Sequence, residues 1–197
     1  MGTGNNDWNT PPEYIALARH VLGEIDLDPA TNTVAQEWIQ ARKFYTNADD
    51  GLSKDWMGRV WLNPPYSRQD IYRFIEKLLA EIAKGHVTEA ILLTHNYTDT
   101  RWFHLAESKA ALLCFTRGRI AFTDENGKRC APTQGQTFFY YGERRELFRA
   151  QFKELGFIRS SAASAEEHRR IALMTDAREF LGDSAYQHFA KEYAGAA

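Results

Sequence analysis

The stretch VWLNPPYS, residues 60–67, sets Asn63, Pro64, Pro65 and Tyr66 directly behind a short apolar run. Two consecutive prolines remove two backbone donors and fix two φ angles, so a strand that enters this stretch stops at Asn63. An amide and an aromatic ring are thereby presented at a strand's carboxyl end. Downstream, DIYRFIEKLLAEIAKG (70–85) is strongly amphipathic at helical spacing and closes on Gly85. TEAILLTHN (88–96) then reads as a buried strand.

Working outward, PPEYIALARHVLG (11–23) places Ile15, Leu17, Ala18, Val21 and Leu22 near helical spacing, with Gly23 as the stop. EIDLDPA (24–30) reads as a short strand ending at a proline, and NTVAQEWIQAR as a helix capped by Asn32 or Thr33. RKFYT, DDGLSKDW and GRVWLNPPY suggest further short strands or strand ends. TRWFHLAESK reads as a helix, and the run from Ala110 to Gly142 as a strand pair around a polar turn at Asp124 to Gly127. ERRELFRAQFKELG (143–156) is helical again. Alternating strands and helices predict an α/β fold, a mostly parallel twisted sheet with flanking helices and a terminal antiparallel hairpin. The composition turns small and charged from Ser160 onward, so residues 1–158 are expected to form one domain and 159–197 a peripheral helical tail.

The 197 residues, 44% hydrophobic and 13% aromatic, suffice for one good core. A net charge of -2 argues against holding nucleic acid by bulk electrostatics alone, which leaves a local basic face. The best such cluster is Arg101, Arg117, Arg119, Lys128 and Arg129, divided between phosphate contacts and an ordinary solvated face. Cys114 and Cys130 show no metal spacing, and a reducing, cytoplasmic setting fits them best. The six histidines, His95 and His104 among them, show no paired ligand spacing, so no metal is expected. No apolar run approaches a membrane span, and MGTGNNDW lacks a signal-peptide core. Asp49 and Asp50 before Gly51 read as a solvated turn, with contact to a ribose as the alternative. Trp102 and Phe103 read as core.

In an open parallel sheet ligands bind beyond the carboxyl ends of strands, where both LDPAT (27–31) and NPPY fall. LDPAT by itself is equally a plain turn made by Asp28 and Pro29. For NPPY the chemistry is more specific. Asn63 and the carbonyl of Pro64 offer two fixed acceptors, suited to an amino group with two hydrogens, while the Tyr66 face can stack on the flat ring that carries the amine. Asn is neutral and no ordinary base, so the pattern suits attack of the amine on a strong electrophile such as a sulfonium methyl, with late proton loss.

Together DWNTPPEY, LDPATN (27–32), DDGLSKDW (49–56), WLNPPYS (61–67), TDTRWFH (98–104) and RGRIAF (117–122) resemble the phage-type DNA N6-adenine methyltransferases, over roughly residues 7–141. The resemblance implies a Rossmann-like methyltransferase fold, S-adenosylmethionine as cofactor and double-stranded DNA as partner. It implies that Asn63, Pro64, Pro65 and Tyr66 hold an adenine extruded from the duplex. Trp8, Thr10 and Pro11 match the motif that closes over the cofactor. Asp28, Pro29 and Ala30 match its methionine end, and Asp55 and Trp56 its adenine. The glycine-rich turn typical of methyltransferases at large is replaced by Asp28, Pro29, Ala30, Thr31 and Asn32. Residues 116–137 are the expected recognition segment. NPPY alone would also suit a methyltransferase of an RNA base or a protein glutamine amide, and a catalytically silent DNA-binding protein could keep the same fold.

Overall fold

The computed structural model describes residues 8–124 and 128–161. Helix α1 (Pro12–Leu22) leads into β1 (Leu27–Asp28), the short α2 (Gln36–Ile39) and β2 (Lys43–Phe44). After two 3-10 turns come β3 (Gly58–Leu62), α3 (Arg68–Ala83), β4 (Val87–His95) and α4 (Arg101–Glu107). The remainder is β5 (Leu112–Thr116), β6 (Gln136–Tyr141), α5 (Arg145–Phe152) and β7 (Gly156–Ser160). The seven strands among the described residues form one sheet in the order β2-β1-β3-β4-β6-β5-β7. The first four pair in parallel, while β6 is antiparallel to both β4 and β5.

The apolar runs alternate in the direction of their side chains, as a strand must. On β4, Ile91 and Leu93 join a core with α1, α2 and α5, whereas Ala90 and Leu92 join a second core with α3 and α4. On β6, Phe138 and Tyr140 face the first core, and Phe139 and Tyr141 the second. Both faces of the sheet are therefore covered, which is why these strands read as continuous hydrophobic stretches. Each fully buried side chain of this size contributes about 1.5–3 kcal/mol.

Two charged networks lie toward the amino ends of the parallel strands. Arg59 Nε and its backbone N–H donate to Asp26 Oδ2 at 2.8 and 2.9 Å. These bonds hold the Asp26 carboxyl below its ordinary range. The carboxylate of Glu89, buried on β4, accepts from the Tyr140 hydroxyl and from Arg144. The carboxyl ends of β1 and β3 are left free of such networks.

The structure departs from the sequence expectations in two places. DDGLSKDW forms two 3-10 turns, Asn47–Asp49 and Gly51–Ser53, with no strand. The first is closed by a capping box, Thr46 with Asp49. The antiparallel pair β5/β6 is not the sheet's end, because β7 extends it beside β5. The peripheral tail, beyond Ser161, and most of the polar turn at Asp124 to Gly127 lie outside the described residues. No helix among the described residues is long and apolar enough to cross a membrane.

The contact between β7 and β5 leaves no room for a side chain at residue 156. A Cβ at Gly156 would sit 1.8 Å from the Phe115 carbonyl oxygen. Gly156→Ala is therefore expected to lower the unfolding free energy by about 1–3 kcal/mol in a denaturant titration, with retention of wild-type stability showing that β7 does not pack there.

Candidate active site

Because β1, β3 and β4 run in parallel, with Leu27 beside Val60 and Leu62 beside Leu92, their carboxyl ends open on one rim. A cavity of about 360 Å³ lies there, walled by residues 8–10, 28–32, 46–47, 50–52 and 63–66 and by the first turns of α3. LDPAT and NPPY thus share one site.

Asn63 is held from three sides. Its Nδ2 donates to the Trp8 carbonyl at 3.1 Å and to Thr10 Oγ1 at 3.3 Å, and its Oδ1 accepts from the Tyr66 hydroxyl at 2.8 Å. Those partners fix which end of the amide is oxygen. Ser67 ends the loop as N-cap of α3, its Oγ accepting from the Asp70 N–H at 3.1 Å. Tyr66 lines the cavity and stacks on His95 with ring centroids 3.9 Å apart and planes 17° apart. Burial raises the Tyr66 phenol well above its ordinary range, so it remains a donor.

The same cavity is lined by Asp28, which is only 1% exposed. Its carboxyl accepts from the Ala30 N–H at 3.3 Å and from Gln36 Nε2 at 3.0 Å, with no ion pair among the described residues. Burial outweighs these bonds and pushes the carboxyl up to about 7. Pro29 and Ala30 line the cavity beside it, and the Pro29 carbonyl abuts Gly51, where a Cβ would approach it to 2.0 Å. Gly51 is required by that close approach.

Of the N-terminal trio, Trp8 and Thr10 line the cavity and Pro11 does not, being the buried cap residue of α1. Asn9, between them, was not singled out by the sequence. It pairs with Thr123 through two backbone bonds of 2.8 and 3.0 Å, and its side chain accepts from Asn32 Nδ2 at 2.7 Å. Asp55 and Trp56 stand elsewhere than expected. Neither lines the cavity: Asp55 is exposed, while Trp56 is wholly buried against Phe74 and donates Nε1 to the Gly51 carbonyl at 2.8 Å. The acidic residue of that turn that does reach the cavity is Asp50.

His95 is the other residue that motif reasoning missed, since its contact with Tyr66 is not local. Its Nδ1 is buried without a hydrogen-bond partner among the described residues, and burial pushes the imidazole down to about 4. Arg101, Arg117, Arg119, Lys128 and Arg129 are all exposed and outside the cavity. Arg129 pairs with Glu13 at 3.4 Å, whereas Arg101, Arg117 and Arg119 have no ion pair among the described residues. The segment expected to recognise DNA is partly core, with Ile120 and Phe122 buried and the Ile120 N–H donating to Gln136 Oε1 at 2.8 Å.

The covered α/β sheet and the amide-bearing rim are those of a methyltransferase-like protein. A family model described as DNA N-6-adenine-methyltransferase (Dam) matches residues 3–172, and the chain belongs to that family. It is 34% identical over 139 residues to a protein of Escherichia phage T1 named DNA N-6-adenine-methyltransferase, a match covering 69% of this chain and 54% of that relative. The chain thus aligns with about half the length of the phage protein. No solved structure matches it.

Asp28 generates a pH prediction. Its carboxyl keeps its proton up to about 7 in the fold, against an ordinary value of 3.8. A raised pKa means that the folded state binds the proton more tightly, so Asp28's contribution to stability is complete below about pH 4 and is lost as pH rises to about 7. Thermal unfolding of wild type and Asp28→Asn across that range should show wild type alone losing this increment. Parallel profiles would mean that Asp28 is ionised in the fold.

Proposed function

We propose that this chain transfers a methyl group from S-adenosylmethionine to the exocyclic amine of an adenine extruded from double-stranded DNA, on a Rossmann-like methyltransferase scaffold, in the cytoplasm of a bacterial or phage-infected cell. One observation carries the reading: an amide held by three partners and a buried carboxyl with no ion pair among the described residues line one cavity.

The cavity fits the cofactor. Asp28 would take the amino group of its methionine end, since an ammonium compensates a buried carboxylate and draws it into the ionised form. Pro29 and Ala30 would flank that end, Trp8 and Thr10 would close over it, and Asp50 is the acidic residue available to the ribose. When bound, the cofactor supplies a sulfonium methyl, an electrophile that a neutral amine can attack.

The work of the chain is to orient the amine. Asn63 Oδ1 has two lone pairs, of which Tyr66 occupies one, so the other is open to an N–H of the base. The Pro64 carbonyl is the second acceptor, on a backbone stiffened by two prolines. Engaging both hydrogens would hold the amino nitrogen in one orientation, with its lone pair free to attack. As positive charge develops on that nitrogen its N–H bonds would strengthen toward both oxygens, and the proton would pass afterwards to solvent water, so no titratable side chain need act as base. Tyr66 offers its cavity face to the purine, and a stacked base is worth about 1–3 kcal/mol. Arg101, Arg117, Arg119 and Lys128 are exposed cations with no ion pair among the described residues and would meet phosphates.

Labelled methyl should pass from the cofactor to adenine in DNA, and not to RNA or protein offered in parallel. Asn63→Ala should cut that rate by about 10² to 10³, with a much smaller loss of calorimetric cofactor affinity through the released Trp8 and Thr10. A variant within tenfold of wild type would remove Asn63 from its role. Replacing Arg117 and Arg119 together by Ala should flatten the slope of log K against log salt by about 2 units, since each phosphate contact contributes about 0.9. An unaltered slope would put the DNA track elsewhere.

A further inference from the structure

We propose that His95 is a positioning residue for the base: its imidazole backs Tyr66 from outside the cavity and sets the angle at which that ring, and the hydroxyl bonded to Asn63, meet the purine. The proposal rests on reading the cavity as an adenine site. Prolines 64 and 65 fix the backbone of the NPPY loop but leave the χ angles of Tyr66 free, so the ring needs a contact to define its plane. His95 supplies it. The two rings lie 3.9 Å apart and 17° from parallel, and Tyr66 lines the cavity whereas His95 does not, so the imidazole covers the face turned away from the ligand.

His95 is itself held firmly. It is the last residue of β4, in register with Gln136 of β6, and its ring also meets Tyr97 at 5.2 Å. It makes no side-chain hydrogen bond among the described residues, so what it contributes is a flat face. Burial keeps the imidazole uncharged at neutral pH, and no cation is brought beside the acceptor oxygen.

The test uses the full chain, cofactor and a duplex whose methylated adenine has been mapped with wild type. His95→Ala should slow single-turnover methyl transfer about tenfold to a hundredfold, the scale of losing a defined stack, with cofactor affinity within twofold. His95→Phe, which restores a flat ring, should recover to within about threefold. His95→Leu, of similar bulk but not flat, should behave as Ala does and substitutes for it if Ala fails to fold. Because His95 acts through Tyr66, adding His95→Ala to Tyr66→Ala should cost almost nothing further. Rates within twofold of wild type for both Ala and Leu, failure of Phe to rescue, or losses that add to those of Tyr66→Ala would each overturn the proposal while the methyltransferase reading stands. A wild-type protein that methylates no adenine would overturn both.

Discussion

The missing N–H groups of Pro64 and Pro65 are the constraint on which the site depends. Strand β3 leaves the sheet after Leu62, opposite Leu92, while β4 continues to His95 with β6 as partner on its other edge. The unmatched length of β4 opens a notch in the sheet's rim. The NPPY loop folds back across that notch, and the Tyr66 ring comes to rest on His95 at its far end. One local prohibition on hydrogen bonding thus produces the rim, the exposed amide and the ring support together.

The cavity walls are drawn from distant parts of the chain and tied by uncharged hydrogen bonds. Trp38 Nε1 holds the Thr10 carbonyl at 2.9 Å, Asn32 holds Asn9, and Asn9 pairs with Thr123. Asn63 closes the set by donating to Trp8 and Thr10. Two ion-pair networks, around Asp26 and Glu89, lie at the other edge of the sheet. Among the charged residues that line the cavity, which also include Asp50, Asp70 and Arg73, Asp28 is the buried one.

Features written in consecutive residues were legible in the sequence. The double proline, the helical period of residues 70–85 and the apolar run of β4 each predicted their element, and the parallel order put LDPAT and NPPY on one rim. Features that depend on what a residue meets across the fold were not. Trp56 sits between exposed Asp55 and Met57, so its neighbours advertise a surface turn, yet Phe74 of α3 buries it. His95 closes an apolar strand and has no motif of its own. Strand β7, GFIRS, is an edge strand with Phe157 and Arg159 exposed, and carries no continuous apolar signal.

The insertion of β6 between β4 and β5 governs the order in which the sheet can form. β5, at residues 112–116, leaves the ribosome before β6, at residues 136–141, yet its neighbours in the sheet are β6 and β7, both made later. LLCFT therefore has no strand to pair with while β1 to β4 can already assemble, and its apolar residues stay uncovered until the chain has doubled back. Non-local pairing of this kind slows folding and exposes an adhesive segment during synthesis. Since the Asn9–Thr123 bridge also waits for residues in that excursion, the cavity is among the last parts of the molecule to be finished.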